Sequence, residues 1–222
     1  MSVDRPLKTR LRTARGRSTS SQQWLRRQLN DPYVHQAKQQ GWRARSVFKL
    51  QELDERFGLL RRGSRILELG AAPGSWTQYA VRRGGRVIAV DLVAMEPIAG
   101  AELIQGDFLE PEVQARLRER LGGPADLVLS DMAASTTGRR AVDRLRAEAL
   151  GESVLEFAGD ALAPGGSCLL KLIKGGEAAL MPQAQALFGT SRIVRPKATR
   201  AESSEVYLLA RGLRVPSVIP EE

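Results

Sequence analysis

The chain has 222 residues, of which 42% are hydrophobic and 27% are charged, and it contains a single cysteine. A chain of this length predicts one domain with a sizeable core and short extensions. One cysteine excludes a disulfide or a multi-cysteine zinc site within the chain, and no apolar stretch is long enough to span a membrane. The formal net charge of +9 favours a polyanionic partner such as RNA or DNA, although a merely soluble basic protein has the same charge.

The first 20 residues are strongly basic, with six Lys or Arg side chains against one Asp. Such a segment cannot bury enough apolar surface to fold alone. A basic arm that becomes ordered on RNA and a transit peptide both have this composition, and the lack of a clear amphipathic stripe favours the arm. We therefore predict a disordered arm over residues 1–21, a folded domain with an N-terminal helical extension over 22–212, and a short tail over 213–222.

Two single residues of metal-binding type are predicted to have no metal role. Cys168 lies in an apolar run, where a buried thiol behaves as a small hydrophobic side chain. His35 lies among polar residues without a nearby cysteine or second histidine, which argues against a metal site. We therefore expect no metal in the functional site.

The segment over residues 65–76, which reads RILELGAAPGSW, predicts a buried strand, a tight loop and a helix. Gly70 and Gly74 allow a sharp turn and leave no side chain between the backbone and a ligand. In an open α/β sheet, ligands bind at the carboxyl ends of the strands. The loop lacks the glycine pattern of dinucleotide sites and the lysine of a P-loop, so it favours a nucleotide-like ligand without a pyrophosphate. An ordinary strand-to-helix turn is the alternative.

Acidic residues follow the next two predicted strands. Asp91 directly follows the apolar run over residues 86–90, about 20 positions after Gly70, where a carboxylate suits two hydrogen bonds to a ribose diol. Asp107 follows a third run, where it can accept a hydrogen bond from an adenine amino group. Each acid alone is consistent with a polar loop residue, but a glycine loop and two acids at successive strand ends are far more specific.

The remaining pattern alternates helices with strands, as expected for an α/β fold. Apolar residues at helical spacing predict a helix between residues 44 and 57 that carries Lys49, and a fourth strand ends next to Asp131. Further predicted elements are a helix over 111–121, a loop over 133–140, a helix over 150–161, a strand over 167–173 that carries Lys171, a helix over 176–188 and strands over 191–195 and 205–210.

Eight short motifs run over most of the chain: DPYVHQA (31–37), RSVFKLQE (45–52), LGAAPGSW (69–76), VDL (90–92), QGDF (105–108), SDMA (130–133), LLKL (169–172) and SEVY (204–207). Together they resemble the class I methyltransferases that use S-adenosylmethionine. They resemble most closely the FtsJ/RrmJ-type ribose 2′-O-methyltransferases of ribosomal RNA, the RlmE family. The motifs occur in the order of that family, which makes the resemblance specific to it.

The resemblance implies a Rossmann-like α/β fold with a seven-stranded, mostly parallel sheet, helices on both faces and an antiparallel last strand. It implies S-adenosyl-L-methionine as the cofactor and 2′-O-methylation of a uridine ribose in 23S ribosomal RNA, in the bacterial cytoplasm. We expect a monomer whose partner is ribosomal RNA within the large subunit, without membrane contact. The family motifs imply cofactor-binding residues Gly74, Trp76, Asp91, Asp107 and Asp131, and a catalytic tetrad of Lys49, Asp131, Lys171 and Glu205.

The implied reaction requires that a weakly acidic ribose hydroxyl is aligned with the methyl donor and loses one proton. Lys171 is the favoured base, because a lysine that interrupts a buried strand loses hydration, which stabilises its neutral form. Asp131 is expected to orient Lys171 and to contact the cofactor, while Lys49 and Glu205 position the ribose and balance charge. A structural ion pair is the alternative for any one of these residues taken singly.

The chain departs from the family pattern at two places. Ser75 replaces the second glycine of a PGGW motif, and a small residue at a helix start is expected to be tolerated. Ala134 and Ser135 replace the Pro-Asn of a DMAPN motif next to the expected site of methyl transfer. Loss of that proline is predicted to loosen the loop.

Two other functions are consistent with the same fold. One is ribose 2′-O-methylation of transfer RNA or of an RNA cap, and the other is a non-catalytic, RNA-binding role in ribosome assembly. A cap enzyme needs an aromatic clamp for the cap base, and only 5% of the residues are aromatic. The complete tetrad argues against a non-catalytic factor.

Overall fold

The computed structural model of the protein describes residues 18, 22, 25 and 28–215. The predicted arm over 1–21 lies outside the described residues except at position 18, and the predicted tail does so beyond 215, so both stay predictions. Within the described part of the chain, no helix combines the length and the apolar character that crossing a lipid bilayer requires.

The described residues form an alternating series of strands and helices. The strands are β1 (Arg65–Leu69), β2 (Arg86–Asp91), β3 (Ala101–Gln105), β4 (Ala125–Ser130), β5 (Leu162–Ile173), β6 (Phe188–Val194) and β7 (Glu205–Leu213). From residue 30 onward, the helices are α1 (Pro32–Gln39), α2 (Val47–Phe57), α3 (Ser75–Arg82), α4 (Pro111–Leu121), α5 (Arg140–Ala161) and α6 (Glu177–Leu187).

These strands form one sheet in the order β3-β2-β1-β4-β5-β7-β6. Strands β1 to β5 pair in parallel, whereas β7 is antiparallel to both β5 and β6. The expected seven-stranded, mostly parallel sheet with a reversed last strand is thus confirmed. Because β7 runs in the opposite direction, its amino end meets the carboxyl end of β5, and the register places Glu205 opposite Ile173 and Tyr207 opposite Lys171.

Hydrophobic clusters cover both faces of the sheet. One cluster joins the sheet to α1, α2 and α3, and the other joins it to α4, α5 and α6. Neighbouring residues of β1 belong to different clusters, Ile66 to the first and Leu67 to the second, as the two-residue repeat of a strand requires. The predicted burial of Cys168 is confirmed, and burial raises the pKa of its thiol to about 12, which makes it unreactive at neutral pH.

The strand predicted over residues 167–173 begins earlier than expected, because β5 starts at Leu162 and includes the run Pro164-Gly165-Gly166. Leu162 pairs with Ala125 of β4, and Ser167 pairs with Leu127, so the intervening residues bulge out of the ladder. A proline cannot donate a ladder hydrogen bond and glycines accommodate unusual backbone angles, which suits this segment to a bulge.

A buried carboxyl group connects β1 to the helix that follows it. Glu68 is only 1% exposed, and the Thr77 hydroxyl on α3 donates to its Oε2 atom at 2.7 Å. Burial raises the pKa of Glu68 to about 8, and the nearby Asp131 carboxylate raises it further, while the hydrogen bond from Thr77 opposes the shift. Glu68 is therefore predominantly neutral at pH 7, which removes the cost of burying an unpaired charge in the core.

We predict that Glu68→Gln makes the free energy of unfolding less dependent on pH. Glu68 favours the folded state fully below about pH 4.5, its ordinary pKa, and this contribution is lost as the pH rises towards 8 because only the unfolded chain releases the proton readily. Glutamine keeps an acceptor for Thr77 and is never charged, so the variant should gain roughly 4 kcal/mol relative to the wild type between pH 4.5 and 8.

Denaturant unfolding of both proteins across this pH range measures the effect, with Glu119→Gln on the exposed side of α4 as the control for removing one carboxylate. Parallel stability curves for the wild type and Glu68→Gln would contradict the assignment of a neutral Glu68.

Candidate active site

Four charged side chains from distant parts of the chain form one group at the carboxyl edge of the sheet, which we call the charge cluster. Lys49 Nζ donates to both carboxylate oxygens of Glu205, at 2.8 and 3.0 Å. Lys171 Nζ lies 3.2 Å from Asp131 Oδ1 and 4.0 Å from Glu205 Oε1, and it also donates to the backbone oxygen of Asp131. The two cations and two anions are thus linked in the order Lys49, Glu205, Lys171, Asp131.

The sheet topology creates this cluster. Asp131 follows β4, and its backbone N–H donates to the Leu69 oxygen at the end of β1, at 3.1 Å. Lys171 lies near the end of β5, and Glu205 begins the antiparallel β7 beside it. Lys49 comes from α2, where its side chain is only 11% exposed instead of extending into solvent. The structure therefore brings together all four residues of the predicted tetrad, while their catalytic roles stay predictions.

Hydrogen bonds and ion pairs keep Glu205 ionised. The Ser203 hydroxyl donates to Glu205 Oε2 at 3.0 Å. Burial by itself raises the pKa of Glu205, but the ammonium groups of Lys49 and Lys171 and the Ser203 hydrogen bond outweigh burial and hold the pKa below its ordinary value. Glu205 is therefore a carboxylate at neutral pH and balances both lysines.

Tyr207 contacts the charge cluster through its hydroxyl group and was not predicted from the sequence as a site residue. Its side chain is fully buried, its hydroxyl donates to Asp131 Oδ1 at 2.9 Å, and its ring centroid lies 5.9 Å from Lys49 Nζ. Burial and the Asp131 carboxylate raise the pKa of Tyr207, so the hydroxyl remains a donor at neutral pH. The signal in the sequence was its position two residues after Glu205, which places both side chains on one face of β7.

A cavity of about 590 Å³ opens at the carboxyl ends of β1 to β4. Its volume falls within the range of about 300–1,000 Å³ that is usual for small-ligand sites. Asp131 lines the cavity and also belongs to the charge cluster, so the two features are contiguous. The lining consists of Gly70, Ala72, Val90, Asp91, Leu92, Gly106, Asp107, Phe108, Leu109, Asp131, Met132, Ala133, Ala134, Ser135, Arg146, Ala149, Leu150 and Ser153.

One face of α5 lines part of this cavity, a contribution that was not predicted from the sequence. The helix begins at Arg140 instead of at residue 150, and four lining residues follow helical spacing, namely Arg146, Ala149, Leu150 and Ser153. The preceding loop is held to the helix by Asp143, which accepts hydrogen bonds from Thr137 and from the Gly138 backbone. The early helix start adds Arg146 to the cavity, and among the described residues it is the only basic one in the lining.

Asp91 and Asp107 both lie in the cavity lining, at the ends of β2 and β3. Asp91 also holds the loop after β1, because its Oδ2 atom accepts from the Ala72 backbone N–H at 2.8 Å and its Oδ1 atom accepts from Val93 at 2.9 Å. A carboxylate offers about four lone-pair positions, so about two remain for a ligand diol. Asp107 Oδ1 accepts from the Leu109 N–H at 2.9 Å in the same way.

Gly74 and Trp76 occupy a different position from the other predicted cofactor residues, because neither lines the cavity. Gly74 has a φ of +101°, and a Cβ atom there would lie 2.7 Å from Ile98 Cδ1, so the turn into α3 requires glycine. Trp76 is buried, donates from Nε1 to the Ser46 oxygen at 2.8 Å, and packs its ring 5.8 Å from that of Tyr207. Their roles towards the cofactor stay predictions.

Comparison with known proteins identifies the family. The family model described as FtsJ-like methyltransferase matches residues 42–213, which include the whole sheet and the charge cluster. The chain belongs to the FtsJ-like methyltransferase family. It is therefore an enzyme of methyl transfer, and the family implies S-adenosylmethionine as the methyl donor.

Relatives of high identity carry a common name. The chain is 53% identical over 206 residues to "Ribosomal RNA large subunit methyltransferase E" of Gluconobacter oxydans, covering 92% of this chain and 77% of that protein. It is 54% identical over 206 residues to the protein of the same name from Granulibacter bethesdensis, covering 92% and 90%. Among solved structures, a Plasmodium falciparum protein described as a ribosomal RNA methyltransferase superposes with a TM-score of 0.70 at 27% identity, covering 78% of this chain and 98% of that one.

The donor set of the cavity fits S-adenosylmethionine. The described lining contains three acidic residues, Asp91, Asp107 and Asp131, and one basic residue, Arg146. This excess of negative charge favours a ligand that carries positive charge on its sulfonium and amino groups. Gly70 contributes a second feature, because its φ is +75° and a Cβ atom added there would lie 2.8 Å from the Met132 backbone nitrogen, which leaves no room for a side chain. The loop after β1 therefore packs tightly against the segment after β4, and three carboxylates line the adjacent cavity where the cofactor is expected.

We predict that Asp91→Ala weakens S-adenosylmethionine binding by about 2–3 kcal/mol, because it removes charge-assisted hydrogen bonds to a ribose diol and releases the Ala72 loop. Calorimetric titration of the cofactor measures the change. Asp160→Ala, at an exposed position of α5, is the control for loss of one aspartate and should bind as the wild type does. Unchanged cofactor affinity in a folded Asp91→Ala protein would refute the assignment.

Proposed function

We propose that this methyltransferase transfers a methyl group from S-adenosylmethionine to the ribose 2′-hydroxyl of a uridine in 23S ribosomal RNA of the large subunit. The observation that carries the proposal is the charge cluster, which adjoins the acidic cavity through Asp131 and contains two lysines, Lys49 and Lys171. The names of the relatives described above support ribosomal RNA of the large subunit as the substrate. The resemblance of the motifs supports uridine.

Bound S-adenosylmethionine supplies the methyl group on an electrophilic sulfonium centre. The residues of the chain then have to orient the acceptor hydroxyl and handle its proton. The Tyr207 hydroxyl and Lys171 Nζ both contact Asp131 Oδ1, which holds that carboxylate oxygen in the charge cluster. Lys49 and Glu205 hold each other at 2.8 Å and offer a donor and an acceptor to the ribose.

Lys171 stands where the proton of the hydroxyl must be removed or stabilised. Its side chain is 14% exposed, and its Nζ atom lies 3.2 Å from Asp131 Oδ1 and 4.0 Å from Glu205 Oε1. A base needs the neutral amine for part of the time, whereas a positioning group needs only the charged donor, and substitution can separate these two roles.

We infer that the enzyme acts as a monomer, in the bacterial cytoplasm, on ribosomal RNA that is part of the large subunit. The formal net charge of +9 supports a polyanionic substrate. The basic segment over residues 1–20 supports the same inference as an arm that contacts RNA.

Mapping of 2′-O-methyl groups in total RNA, from cells with and without the protein, tests the proposed function. We expect one uridine of 23S ribosomal RNA to lose its methyl group when the protein is absent and to regain it on complementation. Loss of methylation only in transfer RNA would favour the other ribose methyltransferase function. An unchanged map with defective subunit assembly would favour a non-catalytic role.

We predict that Lys171→Arg is almost as inactive as Lys171→Ala if Lys171 is the base, because arginine does not deprotonate in proteins. Single-turnover methyl transfer should fall by about 10²–10⁴-fold in both variants, while cofactor binding persists. Lys38→Arg, at an exposed position of α1, is the matched control. Substantial activity of Lys171→Arg, together with a wild-type rate that does not vary with pH, would exclude the base role and leave positioning.

A further inference from the structure

A second cavity, of about 390 Å³, borders the charge cluster. Among the described residues, it shares no lining residue with the cofactor cavity, and it reaches the cluster through Lys49 and Glu205, whereas the cofactor cavity reaches it through Asp131. The cluster thus stands between two separate cavities, as a transfer between cofactor and acceptor requires. The lining of the second cavity is Gln28, Arg45, Ser46, Lys49, Arg200, Glu202, Ser203 and Glu205.

Two arginines in this lining are fixed by one aspartate. Asp31 is 8% exposed, and its Oδ2 atom accepts from Arg45 Nη1 at 2.7 Å and from Arg200 Nε at 3.0 Å. Its Oδ1 atom accepts from the Tyr33 backbone N–H at 3.0 Å, and Arg45 also donates to the Ala198 backbone oxygen. We call Arg45 and Arg200 the arginine pair; together with Asp31 they carry an excess of one positive charge.

The arginine pair retains donor groups that the aspartate does not satisfy. Within the described residues, Arg45 Nε and Arg200 Nη2 are buried and have no hydrogen-bond partner. Arg200 Nη2 lies 3.0 Å from Asp31 Oδ2, within ion-pair distance, but its N–H groups do not point at that oxygen well enough for a hydrogen bond. Burial lowers the pKa of Arg45, Asp31 raises it, and the neighbouring Arg200 lowers it again. These buried N–H groups are closed to a ligand, so an anion would approach the arginine pair from the cavity that both residues line, and it would reduce their mutual repulsion there.

The surroundings of the pair favour a chain of anions over a single small one. Arg45 and Arg200 also line a wider cavity of about 830 Å³, where Arg195 and Lys197 add two positive charges and Glu202 adds one negative charge. An anion at the arginine pair therefore lies at the boundary of two cavities, one of which leads to the charge cluster. A polymer that bears a phosphate between successive sugars matches this arrangement, because one sugar can occupy the cluster while the strand continues through the wider cavity.

We propose that Arg45 and Arg200 bind a phosphodiester group of the RNA strand, next to the ribose that receives the methyl group. The inference rests on the proposed function for the nature of the acceptor. Guanidinium groups present paired N–H donors that match phosphate oxygens, and phosphate contacts fix the register of a bound nucleic acid. Asp31 acts as the positioning residue, since it holds both guanidinium groups before RNA arrives and reduces the ordering that binding requires.

The test compares the full-length wild type with Arg200→Gln, Arg200→Lys and the control Arg61→Gln. Arg61 is exposed and precedes the amino end of β1, so its substitution removes the same charge at the edge of the sheet opposite the cluster. Binding to ribosomal RNA is measured at several salt concentrations, and single-turnover methyl transfer is measured on the RNA or subunit that the methylation map identifies. Thermal unfolding and calorimetric cofactor titration show whether each variant is folded.

For Arg200→Gln we expect RNA affinity to fall at least about tenfold at low salt and the slope of log affinity against log salt to decrease by about one. Arg200→Lys should keep the slope, because it keeps the charge, but should methylate more slowly, because a point charge does not orient the phosphate as a guanidinium does. Arg61→Gln should match the wild type in slope and rate.

Three results would overturn the proposal. One is an Arg200→Gln protein whose affinity and salt slope match those of Arg61→Gln. Another is an Arg200→Gln protein that loses activity with an unchanged salt slope, since the arginine would then only hold the loop before Glu205. The third is a full rate for Arg200→Gln at saturating RNA together with an unchanged slope. The salt slopes are measured by binding alone, so a wild type that methylates no RNA would refute the proposed function without deciding the role of Arg200.

Discussion

Mutual neutralisation of partly buried charges is the constraint on which this structure depends. Two lysines and two carboxylates converge where the sheet meets α2, and an unpaired charge at such a place would destabilise the fold by several kcal/mol. The linked order of Lys49, Glu205, Lys171 and Asp131 gives every charge an opposite neighbour. Reversal of β7 makes this possible, because only the amino end of an antiparallel strand could place Glu205 beside the end of β5.

The segment before α2 ties the surroundings of the cluster together. The Arg43 guanidinium donates to the Pro73 oxygen at 3.0 Å and to the Pro97 oxygen at 2.9 Å, which connects the loops after β1 and β2. Two residues later, Arg45 pairs with Asp31 and donates to Ala198 in the loop before β7. One short segment therefore contacts both the cofactor side and the proposed RNA side of the charge cluster.

Neutral and charged carboxyl groups near the site have distinct environments. Glu68, in the middle of β1, is sealed from solvent and its carboxyl group accepts from a neutral hydroxyl, so it stays neutral and serves the fold. Glu205, at a strand end, meets two ammonium groups and stays ionised. Asp91 lies at the cavity wall and uses part of its hydrogen-bonding capacity on the loop that it faces. The structural carboxyl group thus lies in the middle of a strand, whereas the carboxyl groups that can contact ligands lie at strand ends, at the edge of the sheet.

The sequence by itself determined the fold class and the carboxyl ends of the parallel strands, because strand burial, glycine turns and acids after apolar runs are local patterns. The family motifs, which are local as well, indicated the four residues of the predicted tetrad. Only the tertiary structure decided which side chains meet. Nothing in the sequence near Tyr207, beyond its spacing from Glu205, indicated a role in the site. Asp31 and Arg200 are 169 positions apart, and a periodic pattern in the sequence cannot predict a pair at that distance. The early start of α5 was also not predicted, and the large apolar side chains of its first turns, Val142 and Leu145, are exposed instead of packing in the core. Local patterns determine elements, whereas charge pairing across the sheet depends on strand order and direction, which exist only once the chain has folded.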